Sequence, residues 1–165
     1  FHKGREDGIL FDLGHGAGSF SFSMAIPSVK QGFVPDTIST DHHRNSMLTN
    51  HANMPECMSK MLAIGMNIED VVRKSTIEPA KIIGHPELGN LSEGSEADIA
   101  ILEKTEGDFG LIDNGLTGNR VLNVKEKLEN RITVKSGQVV WDKNGIGMDS
   151  WENTPKPDLK NIYHN

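Results

Sequence analysis

Hydrophobic and polar positions alternate in short blocks along the first part of the chain, and these blocks predict a strand, a helix and a second strand. The apolar run at residues 8–13 has the length of a buried strand. Ser19 then predicts the cap of a helix that continues to about Gln31, with Pro27 as a local irregularity. Residues 36–40 are rich in β-branched side chains and predict the second strand. This order forms a βαβ unit and implies a parallel sheet.

Helical periodicity follows a polar stretch at residues 41–53, which we expect to be a loop. An apolar stripe ended by Gly65 recurs with helical spacing, at Met54, Cys57, Met58, Met61 and Leu62. Such a stripe is typical of a buried helix face rather than of a cofactor or partner site. Two more helices are predicted at residues 68–75 and 77–83, the second closed by Gly84.

The pattern changes near residue 86, where short strands separated by glycine-containing turns replace the helices. Residues 97–102 predict one strand. Residues 132–134 and 138–141 predict a hairpin whose turn contains Ser136 and Gly137. These elements indicate a small antiparallel layer beside the α/β part.

The chain therefore divides into three parts. Residues 1–86 form an α/β part, residues 87–150 form an antiparallel layer, and residues 151–165 form an extended tail. Its predicted parallel sheet has two strands, too few for a sheet that is buried on both faces. The missing strands come either from upstream sequence or from another chain. We expect the first, so that this chain is the C-terminal part of a longer polypeptide.

Composition and charge narrow the classes of function. The 17 Lys and Arg against 23 Asp and Glu give a net charge of −6, and the basic side chains do not cluster, which argues against a nucleic-acid surface. No apolar run approaches the roughly 18–20 residues of a membrane span, so we expect no membrane partner. The single cysteine, Cys57, lies on the buried stripe, where an inert thiol is expected, and it fits a reducing, cytoplasmic location.

Two titratable side chains, His15 and Asp41, follow the two predicted parallel strands. The carboxyl ends of parallel strands are where α/β proteins build their active sites. Gly14 and Gly16 flank His15 and allow the backbone to approach a ligand closely. A loop histidine bonded to backbone and a turn aspartate remain the simpler alternatives.

The same part of the sequence suggests two other kinds of site. Asp41 and His43 can face the same side of an extended segment and share a metal ion, whereas the adjacent His42 points away. The glycine run after residue 13 fails as a nucleotide-binding loop, because the dinucleotide fingerprint needs a glycine where Ser19 stands. No Lys-Ser or Lys-Thr pair forms a Walker loop either, and we reject the nucleotide reading.

The same residues resemble a known family. FDLGHGAGSFSF at residues 11–22 and DTISTD at residues 36–41 are similar to strands seven and eight of the amidohydrolase superfamily, in particular its dihydroorotase-like amidohydrolase/deacetylase group. The run from barrel to β-layer in that superfamily resembles TIEPAK at residues 76–81, GNLSEG at residues 89–94 and ADIAIL at residues 97–102. SGQVV at residues 136–140 resembles its late strand pair.

The resemblance implies a (β/α)₈ TIM barrel with a small β-sandwich layer, of which this chain would supply the last barrel strands and part of the layer. It also implies one or two divalent metal ions, usually zinc. The family's ligands are a His-x-His pair, often a carboxylated lysine, two further histidines and an aspartate after strand eight. Asp41 matches the last. The chain has no His-x-His pair and no candidate for the lysine, so the other ligands are expected outside it.

The activity implied by the resemblance is metal-dependent hydrolysis of an amide or ester bond in a small molecule. Asp41 would be a metal ligand and the general base, and His15 would meet the substrate or the developing oxyanion from the neighbouring strand. Gly16 and His43 would lie on the substrate side. The expected partner is the rest of the barrel, and a homo-oligomer stays open. The alternative is a non-catalytic barrel relative or binding module that lacks the metal ligands.

Overall fold

A short parallel sheet with its helices precedes a long antiparallel ribbon. The computed structural model describes residues 2–49, 52–113, 120–153 and 155. In chain order the elements are α1 (His2–Glu6), β1 (Asp12–Gly14), α2 (Phe22–Lys30), β2 (Thr37–Ser39), α3 (Arg44–Thr49), α4 (Met54–Ala63), α5 (Ile68–Ser75), α6 (Ile77–Ile82), β3 (Ile99–Asp113), β4 (Arg120–Lys135), β5 (Gln138–Asp142) and the 3₁₀ turn Trp151–Asn153.

The predicted βαβ unit is confirmed, with shorter elements. β1 and β2 pair in parallel, with Leu13 opposite Ile38, and α2 connects them. The helix cap was predicted wrongly. Residues 16–19 form a turn, and α2 starts at Phe22 after an extended Ser21 whose side chain makes no capping bond. The chain bends back first because the Phe20 amide donates to the His15 carbonyl at 3.2 Å.

The helices after residue 52 follow the predicted apolar spacing. α4 starts after Asn53, whose side chain accepts a hydrogen bond from the Glu56 amide at 2.9 Å. Its Met-rich stripe is buried as predicted, with Cys57 and Met61 at 1% exposure or less. α5 and α6 also form where expected. The prediction that residues 41–53 form a loop throughout was wrong, because α3 lies within this stretch.

The antiparallel ribbon is much longer than predicted. β3 and β4 pair along almost their whole lengths with two register shifts, and β5 adds a third strand. The sequence did not predict this length, because residues 103–108 are mostly charged and show no alternation of apolar and polar positions. In the structure, the cross-strand Lys104–Glu126 ion pair at 2.7 Å lies in this part of the ribbon. The predicted hairpin turn is confirmed, with Ser136 and Gly137 at φ values of 49° and 77°.

Helix α4 joins the two sheets. Its buried side chains form one hydrophobic cluster with Ile38 of β2 and with Leu111 and Leu128 of the ribbon. The Leu128 amide also donates to the buried hydroxyl of Ser59 at 2.8 Å. Within the described ranges, the helices are all too short or too polar to cross a membrane. Most of the predicted tail, residues 154 and 156–165, lies outside the described residues.

Candidate active site

The loop after β1 continues the parallel pairing beyond the strands. The His15 amide donates to the Ser39 carbonyl at 3.4 Å, and the Gly16 amide donates to the Thr40 carbonyl at 3.0 Å. Gly16 has a φ of 52°, a left-handed conformation that glycine adopts without steric cost. The backbone of the glycine-rich loop is thereby held against the segment that carries Asp41.

Asp41 lies at the carboxyl end of β2 with its side chain on the surface. Its φ of 45° is unusual for a residue other than glycine, although aspartate tolerates it better than most. A Cβ atom placed on Gly16 would lie 2.6 Å from Oδ2 of Asp41, so only glycine leaves room for this carboxylate. Among the described residues we find no hydrogen-bond donor to the Asp41 carboxylate.

His43 lies close to Asp41 through the backbone. Its Nδ1 is 2.7 Å from the Asp41 carbonyl oxygen, and because a carbonyl only accepts, Nδ1 carries the proton. In the neutral form of this exposed ring, the lone pair is on Nε2. The buried Ser46 hydroxyl accepts from the His43 amide and contacts the His43 carbonyl, each at 2.9 Å, which fixes this segment.

His15 follows β1 as predicted, but its ring is turned into the interior of the protein. The side chain is fully buried, stacked on Phe20 at 5.3 Å between ring centroids. Its Nδ1 lies 3.0 Å from the Gly16 carbonyl oxygen, and its Nε2 lies 2.7 Å from Nζ of Lys60. Burial, followed by the positive charge of Lys60, lowers the pKa of His15 to about 4. A direct contact of His15 with substrate stays a prediction, and this structure turns the ring inward.

Lys60 is the polar residue that the sequence reasoning missed. It is fully buried, it donates to the Ile112 carbonyl at 2.7 Å, and its Nζ lies 3.9 Å from Oε1 of Glu56. Burial lowers its pKa, while Glu56 favours the charged form. The spacing of Glu56 and Lys60 is that of an exposed i, i+4 ion pair, so the sequence signal pointed to solvent.

Cys57 is buried, as predicted. Its exposure is 0%, and burial raises the pKa of the thiol to about 12. A cavity of about 900 Å³ lies between α4, α5 and the ribbon, lined in part by Glu56, Asn130 and Trp141. None of the predicted site residues lines it.

The donors at the carboxyl edge of the parallel sheet fit part of a metal site. A carboxylate oxygen at Asp41 and an imidazole nitrogen at His43 are both ligands that divalent ions such as zinc accept. In the part of the chain that the structure describes, no group of three or more His, Cys, Asp or Glu side chains is placed to hold an ion. Asp41 and His43 alone therefore do not make a complete metal site.

Comparisons with known proteins agree with one another. The model of the "Amidohydrolase family" matches residues 21–140. A deacetylase of Brucella anthropi is 36% identical over 108 residues, covering 66% of this chain and 27% of that protein. Deacetylase Atu3266 of Agrobacterium fabrum is 32% identical over 134 residues, covering 81% of this chain and 32% of that protein.

Two solved structures are similar in fold and in sequence. An adenine deaminase superimposes with a TM-score of 0.75 at 30% identity, covering 86% of this chain and 38% of that chain. A dihydroorotase superimposes with a TM-score of 0.74 at 31% identity, covering 84% and 37%. The chain thus spans roughly a third of the length of the relatives that it matches.

Proposed function

Because the chain belongs to the amidohydrolase family, we propose that it forms part of a metal-dependent hydrolase of an amide or ester bond. Relatives named deacetylase, together with the adenine deaminase and dihydroorotase structures, support a hydrolase acting on carbon–nitrogen bonds. β1 and β2 would be the last two strands of a (β/α)₈ barrel, and β3–β5 would belong to its β-layer. The deacetylase names favour removal of an acyl group from a small molecule.

The observation that carries this proposal is the position of the Asp41 carboxylate. It is exposed at the carboxyl end of a parallel strand, directly over a glycine that leaves room for it. This edge is where α/β folds place their catalytic groups. A carboxylate at such a position can bind a metal ion and exchange a proton with a reacting molecule at the same place.

Asp41 would hold one side of the metal site, and the remaining ligands would come from outside the described residues. A divalent ion bound there supplies an activated water and polarises the scissile carbonyl. The exposed Asp41 carboxylate fits this because none of the described residues donates a hydrogen bond to it.

Residues of this chain would then carry out the proton transfer and bind the substrate. Asp41 accepts the proton of the attacking water at its carboxylate and returns it to the leaving nitrogen or oxygen. Gly16 leaves space for the substrate and for the carboxylate because it has no side chain. His43 lies on the substrate side, where a neutral Nε2 can accept a hydrogen bond from a substrate N–H or O–H group.

The experiment uses the full-length protein with N-acetylated amino acids, cyclic amides and acetyl esters as substrates. A chelator should abolish hydrolysis of at least one of these classes, and added zinc should restore it. Elemental analysis should find at least one divalent ion per chain in the active form and none after chelation. Full activity in a protein shown to be free of metal would overturn the proposal. A protein that binds no metal and hydrolyses none of these substrates would favour the non-catalytic alternative.

A further inference from the structure

We propose that Lys60 is a positioning residue for Asp41, acting through His15 and Gly16. The proposal rests on the proposed role of Asp41 and adds to it the buried support beneath the carboxylate. Lys60 lies on α4, not on either of the two strands whose carboxyl ends form the site. It has no role in the chemistry itself, because its ammonium group is fully buried.

The first step runs from Lys60 to His15. An ammonium group only donates hydrogen bonds, so Nε2 of His15, 2.7 Å from Nζ, must be the acceptor. The ring is then neutral and carries its proton on Nδ1. The Ile112 carbonyl at 2.7 Å and Glu56 at 3.9 Å hold the ammonium group in place from the other sides. Lys60 therefore selects one tautomer and one orientation of the imidazole.

The second step runs from His15 to Gly16. The Nδ1 proton points to the Gly16 carbonyl oxygen at 3.0 Å, while the Gly16 amide donates to Thr40 at 3.0 Å. Both polar groups of this residue are held, and its φ stays at 52°. The other tautomer of His15 would turn a lone pair toward the carbonyl and remove this restraint.

The third step runs from Gly16 to Asp41. A Cβ on Gly16 would lie only 2.6 Å from Oδ2 of Asp41, so the carboxylate rests directly against Gly16. A rotation of the Gly16 backbone would therefore change the surface on which the Asp41 carboxylate rests. A general base loses much of its effect when it is misplaced by about 1 Å, a displacement that can cost about 10²-fold in rate.

A contribution to fold stability explains the buried lysine at position 60 less well than a positioning role does. Replacing a buried charged group by an apolar side chain of similar size is often neutral or stabilising. Ser59, the preceding residue, already ties α4 to the same ribbon through the Leu128 amide. Ser59 thus provides a matched control, because its loss weakens the contact between helix and ribbon without touching His15.

The test compares Lys60→Met with Ser59→Ala in the full-length, metal-loaded enzyme. Lys60→Met should lower kcat by roughly 10–10²-fold with KM and metal content close to those of the parent. Ser59→Ala should lower the midpoint of urea unfolding and leave kcat within about twofold, since a lost anchoring bond acts on stability alone. If both variants lose stability and neither loses kcat, while Asp41→Asn is inactive, Lys60 is only structural and the proposal fails.

A double-mutant cycle tests whether Lys60 acts through His15. In His15→Asn the amide nitrogen can replace Nδ1 as donor to Gly16 and needs no tautomer, so Lys60→Met should have little further effect in that background. An equal loss of kcat in both backgrounds would overturn the proposal.

If Lys60→Met does not fold, His15→Leu should lose at least tenfold more kcat than His15→Asn, and equal values would overturn the proposal. Retention of kcat by Asp41→Asn would instead refute the proposed function.

Discussion

His15 occupies an environment in which its imidazole resists protonation. The ring is out of contact with solvent and lies 2.7 Å from a lysine ammonium, so both burial and charge oppose a second proton. Asp41, which follows the neighbouring strand β2, has an exposed side chain. At the residue scale, the carboxyl ends of the two parallel strands thus combine a buried, neutral imidazole with an exposed carboxylate.

The His15 ring predicts a specific acid sensitivity. Its pKa falls from 6.5 to about 4 on folding, so between these pH values the unfolded chain binds the extra proton. Stability linked to His15 is therefore present above pH 6.5 and is lost as the pH falls toward 4, up to roughly 3 kcal/mol in the free energy of unfolding. Urea unfolding of the metal-free, full-length protein at pH 7 and pH 4.5 measures this.

The matched variant for that measurement is His15→Asn, which keeps a polar side chain but does not titrate. The loss of stability between the two pH values should be smaller in His15→Asn than in the parent. Equal losses in the two proteins would show that His15 is not held neutral by the fold.

At the element scale, spacing and capping residues account for the central helices. The apolar stripe of α4 and the charge arrangement of α5 are local signals, and both helices form where the sequence predicts them. The ribbon could not be predicted in this way, because much of β3 is charged and its pairing partners on β4 lie at separations that range from Asp113 with Arg120 to Ile99 with Val134. α3 was missed for a related reason, since a six-residue helix carries little periodic signal.

The cap of α5 gives a prediction at this scale. The Asn67 side chain accepts a hydrogen bond from the Asp70 amide at 2.8 Å, satisfying an otherwise unpaired helix N–H group. Asn67→Ala should lower the free energy of unfolding of the full-length protein by about 1 kcal/mol, whereas Asn67→Ser, which retains an acceptor, should change it by a few tenths. Equal destabilisation by the two variants, measured by urea unfolding, would contradict the capping role.

At the scale of the whole molecule, the described residues leave much apolar surface uncovered. Ile9 and Leu10 before β1 are 55% and 58% exposed, and Leu48 in α3 is 74% exposed. A two-stranded parallel sheet with open edges is also marginal by itself. That other strands complete this sheet stays a prediction.

The 165-residue chain expressed alone should therefore fold poorly. We expect a broad thermal transition and strong binding of a hydrophobic dye, because exposed apolar side chains and unpaired strand edges favour loose or aggregated states. Circular dichroism and dye fluorescence measure both. A sharp cooperative transition with well-dispersed amide signals in NMR would contradict this expectation.

The candidate site was predictable only in part. The position of Asp41 after a short β-branched strand and the glycines around His15 are visible in the sequence, and they place both residues at one edge of the sheet. The inward turn of His15 depends on Lys60, 45 residues later on another element. Nothing in the local pattern marks that lysine as buried, because its neighbour Glu56 suggests an exposed ion pair.

The most direct test of the account is kcat of Asp41→Asn at saturating substrate, with Asp7→Asn as the matched control. Asp7 is an exposed carboxylate that precedes β1 in the chain. Asparagine keeps the shape of the Asp41 side chain but cannot accept the proton, so kcat of the full-length enzyme should fall by roughly 10²–10⁴-fold. Asp7→Asn should stay within about twofold of the parent, as surface substitutions usually do. Near-parental kcat in Asp41→Asn would contradict the central claim that this carboxylate is the catalytic base.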